Sequence, residues 1–166
     1  MFNNLVSIDQ LPVHTKSIPI ISPLTGKAMP LDQVPSEIFS QRLFGEGLAI
    51  EMTGSKVIAP FNGIMHQVPA TAHQLRLKAS NGLMMLIQIG IDSHEMMGEG
   101  FELHVRSGQP FSSGDLLLSI NLQKLKKRLS RVISPVTILN SNKLTGILPH
   151  YQQVIAGQDQ LMTLYI

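Results

Sequence analysis

Three side chains stand where chemistry is possible. His73 opens the alternating run HQLRLKA (73–79), Gln88 closes the apolar run LMMLIQI (83–89), and His94 follows in the stretch DSHEMMGEGF (92–101). An imidazole can take and release a proton or a transferred group near neutral pH. A glutamine in an apolar strand costs free energy unless its amide is hydrogen-bonded. Gln88 therefore either bonds something structural or occupies a place where chemistry happens. Its amide nitrogen shares its lone pair with the carbonyl, so it is a very poor nucleophile, although it still donates and accepts hydrogen bonds. His94 is a tempting substitute, but it lies beyond a Gly in a polar loop, and that pattern favours a plain loop residue. Asp92 and Glu95 either steer a basic partner or are solvated loop charges. His66, His104 and His150 have no second ligand at metal spacing and read as surface residues.

The elements that must position these residues are short and β-rich. SIPIIS, GLAIEM, KVIAP, HQLRLKA, LMMLIQI, DLLLSI, RVISPVTIL and LMTLYI are separated by Gly and Pro. Many short strands with closely spaced turn signals predict an all-β fold, a flattened sandwich or barrel. Helix is scarce. VPSEIFSQ (34–41) predicts one or two turns with Ser36 as cap. SINLQKLKKRLS (119–130) predicts a helix with Leu122, Leu125 and Leu129 on one stripe. ISPLTG (21–26) and IAPFNG (58–63) share the pattern I-x-P-x-x-G, a strand entering a Pro-initiated turn closed by Gly. The echo predicts two related β motifs packed together. Residues 1–16 carry little pattern and read as a flexible tail before a single domain spanning 17–166. Phe2, Leu5 and Val6 could form one apolar helical face there.

Composition narrows the function classes. The chain has 166 residues and no cysteine, which excludes disulfides and Cys-based metal sites. No run approaches the ~18 apolar residues of a membrane span. The N-terminal stretch lacks the basic and apolar regions of a secretory signal, so the chain reads as soluble and cytoplasmic. The net charge is only +2, with two Tyr and no Trp, which argues against nucleic acid. Lys124, Lys126, Lys127, Arg128 and Arg131 read as the solvated face of the second helix. No nucleophile elbow is present, which argues against a hydrolase. Lys27 and Lys56 lack the hairpin-tip context of a swinging-arm carrier.

The sequence around Gln88 resembles the glucose-type IIA proteins of the bacterial phosphoenolpyruvate-dependent sugar phosphotransferase system. Gly82, the apolar residues Met85–Ile87, then Gln88, Ile89, Gly90, Ile91 and Asp92 keep the family's spacing, and GEGF (98–101) follows. The likeness continues through ISPLTG, VPSEIF, GEGLAI (45–50), VIAPFNG (57–63), SGQPFSSGDLLL (107–118) and SPVTILN (134–140), from about residue 17 to the last residue. The resemblance implies two active-site histidines on neighbouring strands. One takes phosphate from the histidine phosphocarrier protein and falls at Gln88. The other hydrogen-bonds the phosphoryl group and falls at His73. Ser93, His94 and Met96 are milder departures from the pattern.

The resemblance also implies a shallow apolar rim that docks partners, at Ile38, Phe39, Leu43, Phe44, Leu86, Ile89, Met96 and Met97, of which several must simply be core, with Asp92 beside it. Glu37 replaces a residue that is commonly apolar. Implied partners are the histidine phosphocarrier protein and IIB/IIC sugar-permease components or regulated enzymes, met by a monomer without a cofactor. Zinc held across the two histidines in some relatives is expected to be lost with Gln88. Phosphate transfer through residue 88 is not expected. The alternative role is a regulatory module fixed in the unphosphorylated form.

Overall fold

The structure, a computed structural model, describes residues 5–13 and 16–166. The punctuated β-rich runs form β1 (Ser17–Ile21), β2 (Gly26–Pro30), α1 (Glu37–Ser40), β3 (Glu46–Met52), β4 (Lys56–Ile58), β5 (Gly63–Gln67), β6 (Gln74–Ala79) and β7 (Met84–Gln88). They continue as β8 (Phe101–Leu103), β9 (Pro110–Phe111), β10 (Leu116–Ile120), α2 (Leu122–Leu129), β11 (Ile133–Ile138), β12 (Gly146–Pro149), β13 (Gln153–Val154) and β14 (Gln160–Tyr165). An 8-stranded sheet runs β13-β2-β3-β11-β7-β6-β5-β9, and two 3-stranded sheets run β1-β14-β12 and β4-β10-β8. The fold is all-β, as the alternation and turn spacing predict.

The sheet orders contain a duplication. Exchanging β4–β10 with β1–β3 plus β11–β14, in chain order, maps the large sheet onto itself and the two small sheets onto each other. One repeat is therefore inserted whole into the other, between β3 and β11. The registers agree: Gly26 lies between Val154 and Met52, as Gly63 lies between Phe111 and Ala79. The pseudo-twofold axis passes through the central Val136–Ile87 pair, both fully buried. The sequence echo at 21–26 and 58–63 is the visible trace of this symmetry, and the Ile58 N–H donates to the Pro23 carbonyl at 2.9 Å where the two motifs meet.

The shared Gly of that echo has a steric cause. A Cβ on Gly26 would lie 2.0 Å from the Glu51 carbonyl oxygen, and one on Gly63 would lie 2.2 Å from that of Lys78. Both strands begin so close to their neighbour that no side chain fits. A second echo is hidden at the sequence level. The Asp115 carboxylate accepts from the Ser112 N–H at 2.8 Å, and the Asp159 carboxylate accepts from the Ile155 N–H at 2.8 Å. Asn62 and Thr25 in turn accept from the Ser113 and Ala156 N–H groups. One extra residue in the second turn breaks the sequence likeness while the bonding persists.

Leu75, Leu77 and Ala79 of β6 and Met85 and Ile87 of β7 face the main core. The opposite face of the sheet carries a smaller cluster, with Leu86 against Met29, Leu31, Val34 and Phe39. Segment 31–44 covers that face.

Three local expectations are corrected. Ser36 occupies the N-cap of α1 but makes no side-chain cap bond. The second helix starts later than predicted, because Ser119 and Ile120 belong to β10; Asn121 caps it by accepting from the Lys124 N–H at 3.1 Å. Leu5 and Val6 form no helical face. Leu5 bridges Ile147, and the Val6 N–H donates to the Ile147 carbonyl at 2.9 Å. Phe2 lies outside the described residues.

Candidate functional site

β6 and β7 form a hairpin whose open end carries the predicted site. Leu83 donates its N–H to the Asn81 side chain and the Ala79 N–H donates to the Leu83 carbonyl, closing the turn at the other end. At the open end the Ile89 N–H donates to the His73 carbonyl at 2.8 Å, so His73, just before β6, lies beside the residue that follows Gln88, the last of β7. Ala72, just before His73, takes a left-handed φ of 55°. The Thr71 hydroxyl lies 2.5 Å from His73 Nδ1. Burial, and then the neighbouring His94 ring, hold the His73 pKa below the usual histidine value, which favours the neutral ring.

Gln88 is half-buried and bonded at both ends. Its Nε2 donates to the Gly90 carbonyl at 3.1 Å, and its Oε1 accepts from Gln74 Nε2 at 3.0 Å. Gln74 is its direct cross-strand partner, and Gln74 Oε1 accepts from Arg76 Nε at 3.4 Å. The amide that looked costly in an apolar strand is satisfied by its own hairpin and the turn after it.

That turn leads into the acidic stretch. The Gly90 N–H donates to the Ser134 hydroxyl at 3.0 Å, and the backbone then enters a 3-10 turn at Ser93–Met96. Asp92 and Met97, on either side of it, both take left-handed conformations, with φ of 66° and 55°. These rare values for residues with a Cβ fold the loop back over the hairpin. The result departs from the sequence reading: His94 is no remote loop residue, and its ring centroid lies 5.8 Å from that of His73. Gly90 and Gly98, both at positive φ, flank this loop and mark it as turning, but the left-handed residues at Asp92 and Met97 that set its path are not glycines, so spacing alone could not have found the pair.

The rim splits in two. Ile38, Leu43 and Met97 are 46%, 63% and 82% exposed, whereas Phe39, Leu86 and Ile89 are 2%, 0% and 0% exposed. The last three are corrected from rim to core, because they fill the clusters beneath the sheet surface. Phe44 is half-buried, with its ring 5.5 Å from Phe39 and Arg76 above it at 5.6 Å. Met96 is half-buried against the main core. Asp92 and Glu37 are exposed, while Glu95 faces Arg128 at 3.8 Å and Glu99 pairs with Lys124. Among the described residues no three His, Asp or Glu side chains converge as a metal site would need.

The symmetry-equivalent position shows what else the fold does with this corner. Glu46 and Thr137 stand where His73 and Gln88 stand in the other repeat. Glu46 is 1% exposed, accepts from Arg42 Nε at 3.3 Å and from the Gly47 N–H at 3.2 Å, and burial pushes its carboxyl above the usual range. Thr137 donates to the Phe44 carbonyl. One corner of the duplicated sheet is a closed polar lock; the other is open.

Residues 18–144 match the family described as phosphoenolpyruvate-dependent sugar phosphotransferase system, EIIA 1. The chain belongs to this family. A glucose-specific EIIA component of Staphylococcus epidermidis is 36% identical over 148 residues, covering 89% of each chain. One of Oceanobacillus iheyensis is 32% identical over 163 residues, covering 98% of each. The structure of glucose permease IIA from Mycoplasma capricolum superposes with a TM-score of 0.81 at 26% identity, over 90% of this chain and 96% of that one. The EIIA fold expected from the motif spacing is thus the fold observed. No described helix is long and apolar enough to cross a membrane.

Proposed function

We propose that this EIIA-family protein docks the histidine phosphocarrier protein and a IIB-type permease component through Ile38, Leu43, Phe44 and Met97, and that residue 88 is not its phosphoacceptor. One observation carries the second half: the Gln88 carboxamide is bonded to Gly90 and Gln74, and its nitrogen offers no free lone pair. Phosphoryl transfer needs an aligned attacking pair, which an amide lacks. The exposure of Ile38, Leu43 and Met97 supports the first half, since exposed large apolar side chains suit a protein interface. The protein acts as a cytoplasmic monomer in this reading.

A second reading uses the same surface. The chain would bind permease components or regulated enzymes permanently unphosphorylated, its surface never changing charge. The test is incubation with phosphoenolpyruvate, enzyme I and the phosphocarrier, followed by intact mass at alkaline pH, with Gln88→His beside the parent. Phosphate on residue 88 of the variant, and none on residue 88 of the parent, is the expected result. No phosphate on the variant anywhere would refute the preserved dock.

A further inference from the structure

Among the described residues, His94 is the exposed imidazole that lies against the half-buried His73, with ring centroids 5.8 Å apart and planes inclined by 54°. The loop that holds it there is specified. Asp92 and Met97 adopt left-handed backbone on either side, at a typical cost of about 1–2 kcal/mol each. Such strain persists where the surroundings enforce it and gathers at sites of function. The Asp92 carbonyl accepts from the Glu95 N–H, the His94 carbonyl accepts from the Met97 N–H at 3.1 Å, and Ser93 is fully buried beneath. Of the two acids on the turn, Glu95 lies 3.8 Å from Arg128, which reduces its repulsion of an incoming phosphate, and Asp92 is exposed to solvent.

We propose that His94 is the phosphoacceptor of this chain, with His73 as the group that positions the transferred phosphoryl. The inference rests on the docking reading above and moves the chemistry from residue 88 to residue 94. The donor is a phosphohistidine carried by a partner protein. A ring-nitrogen lone pair of His94 attacks the phosphorus. The donor N–P bond breaks, and its electron pair stays on the donor ring nitrogen. Each ring keeps the proton on its other nitrogen, so neither electrons nor protons need an outside source. In the tautomer where the Thr71 hydroxyl donates to Nδ1, His73 carries its proton on Nε2 and donates it to a phosphoryl oxygen. The geometry repeats the logic of two facing imidazoles with one of them supplied by the loop.

The test uses the full chain with phosphoenolpyruvate, enzyme I and the histidine phosphocarrier. The readouts are transfer rate, stoichiometry by intact mass, and site mapping by peptide fragmentation, all at alkaline pH. The parent takes one phosphate, mapped to His94. His94→Gln, an exposed change that leaves the fold intact by circular dichroism, takes none. His73→Gln still takes phosphate on His94, about 100-fold more slowly, as expected for loss of one donor to the transferred group. Phosphate on His73, or a phosphorylated His94→Gln, overturns the proposal. So does an unphosphorylated parent beside a phosphorylated Gln88→His, which leaves the docking reading standing. Failure of both parent and Gln88→His refutes the dock and the acceptor together.

Discussion

If Gln88 is a structural amide, removing it must weaken the protein by an amount that its two bonds set. Gln88→Leu deletes the 3.0 Å bond from Gln74 and the 3.1 Å bond to the Gly90 carbonyl. Each net bond contributes about 0.5–1.5 kcal/mol, so the loss is about 1–3 kcal/mol before compensation. Leucine recovers part of this by apolar contact, but the site is only half-buried, so about 1–2 kcal/mol of net loss is expected. With a urea slope of about 2 kcal/mol/M, the midpoint falls by about 0.5–1 M. A double-mutant cycle with Gln74→Leu isolates the pair. Leucine at both positions removes both ends of the Gln74–Gln88 bond together, so neither amide is left without the other and the double variant is more stable than the sum of the singles by about 0.5–1.5 kcal/mol. Equilibrium urea unfolding of the four proteins measures it. A neutral Gln88→Leu with zero coupling would show that the amide is free in solution and available to a ligand, and the structural account of this residue would be lost.

Asp115→Ala and Asp159→Ala each remove a carboxylate acceptor from an equivalent turn, so each lowers stability by about 1 kcal/mol and the two effects match within a few tenths; thermal melts that separate them by more than that would break the equivalence of the turns. His73 has a folded pKa below its unfolded value of about 6.5. As pH falls through that value the unfolded chain takes the proton first, so His73 costs stability, and the cost levels off once the folded ring also protonates. Melting temperature followed from pH 8 to pH 5 should therefore show a decline that is shallower in His73→Gln, and an unchanged slope would count against the burial of this ring.

The sequence announces this fold well because its signals are local. Alternation in HQLRLKA, the Asn81-Gly82 turn and the paired I-x-P-x-x-G entries each follow from one strand or one turn. The motif spacing also brings residues 73 and 88 to the same end of one hairpin, 88 as the last residue of β7 and 73 just before β6. What it hides is depth and direction. Phe39, Leu86 and Ile89 share a composition with Ile38, Leu43 and Met97; the packing of segment 31–44 on the sheet buries Phe39 and Leu86, and the main core on the other face buries Ile89. Gly90 and Gly98 mark the 90–97 loop as a turn, but its path also depends on left-handed backbone at Asp92 and Met97, where no glycine stands. The approach of His94 to His73 follows from that path alone. The repeated aspartate turns stay hidden because a single inserted residue shifts one frame against the other.

The nesting of one repeat inside the other carries a consequence for biosynthesis. The inner repeat, β4–β10, is continuous, so all its strand partners have emerged from the ribosome once β10 has. The outer repeat is interrupted: β3 needs β11, β1 needs β14, and β2 needs β13. At about 5–20 residues per second, several seconds separate β3 from its partner. During that wait the folded inner half offers β7 as an open edge, against which β11 later zips and recruits the waiting strands. A translational pause after β10 would leave a half-sheet with its central edge bare, the arrangement most prone to pair with a second nascent chain.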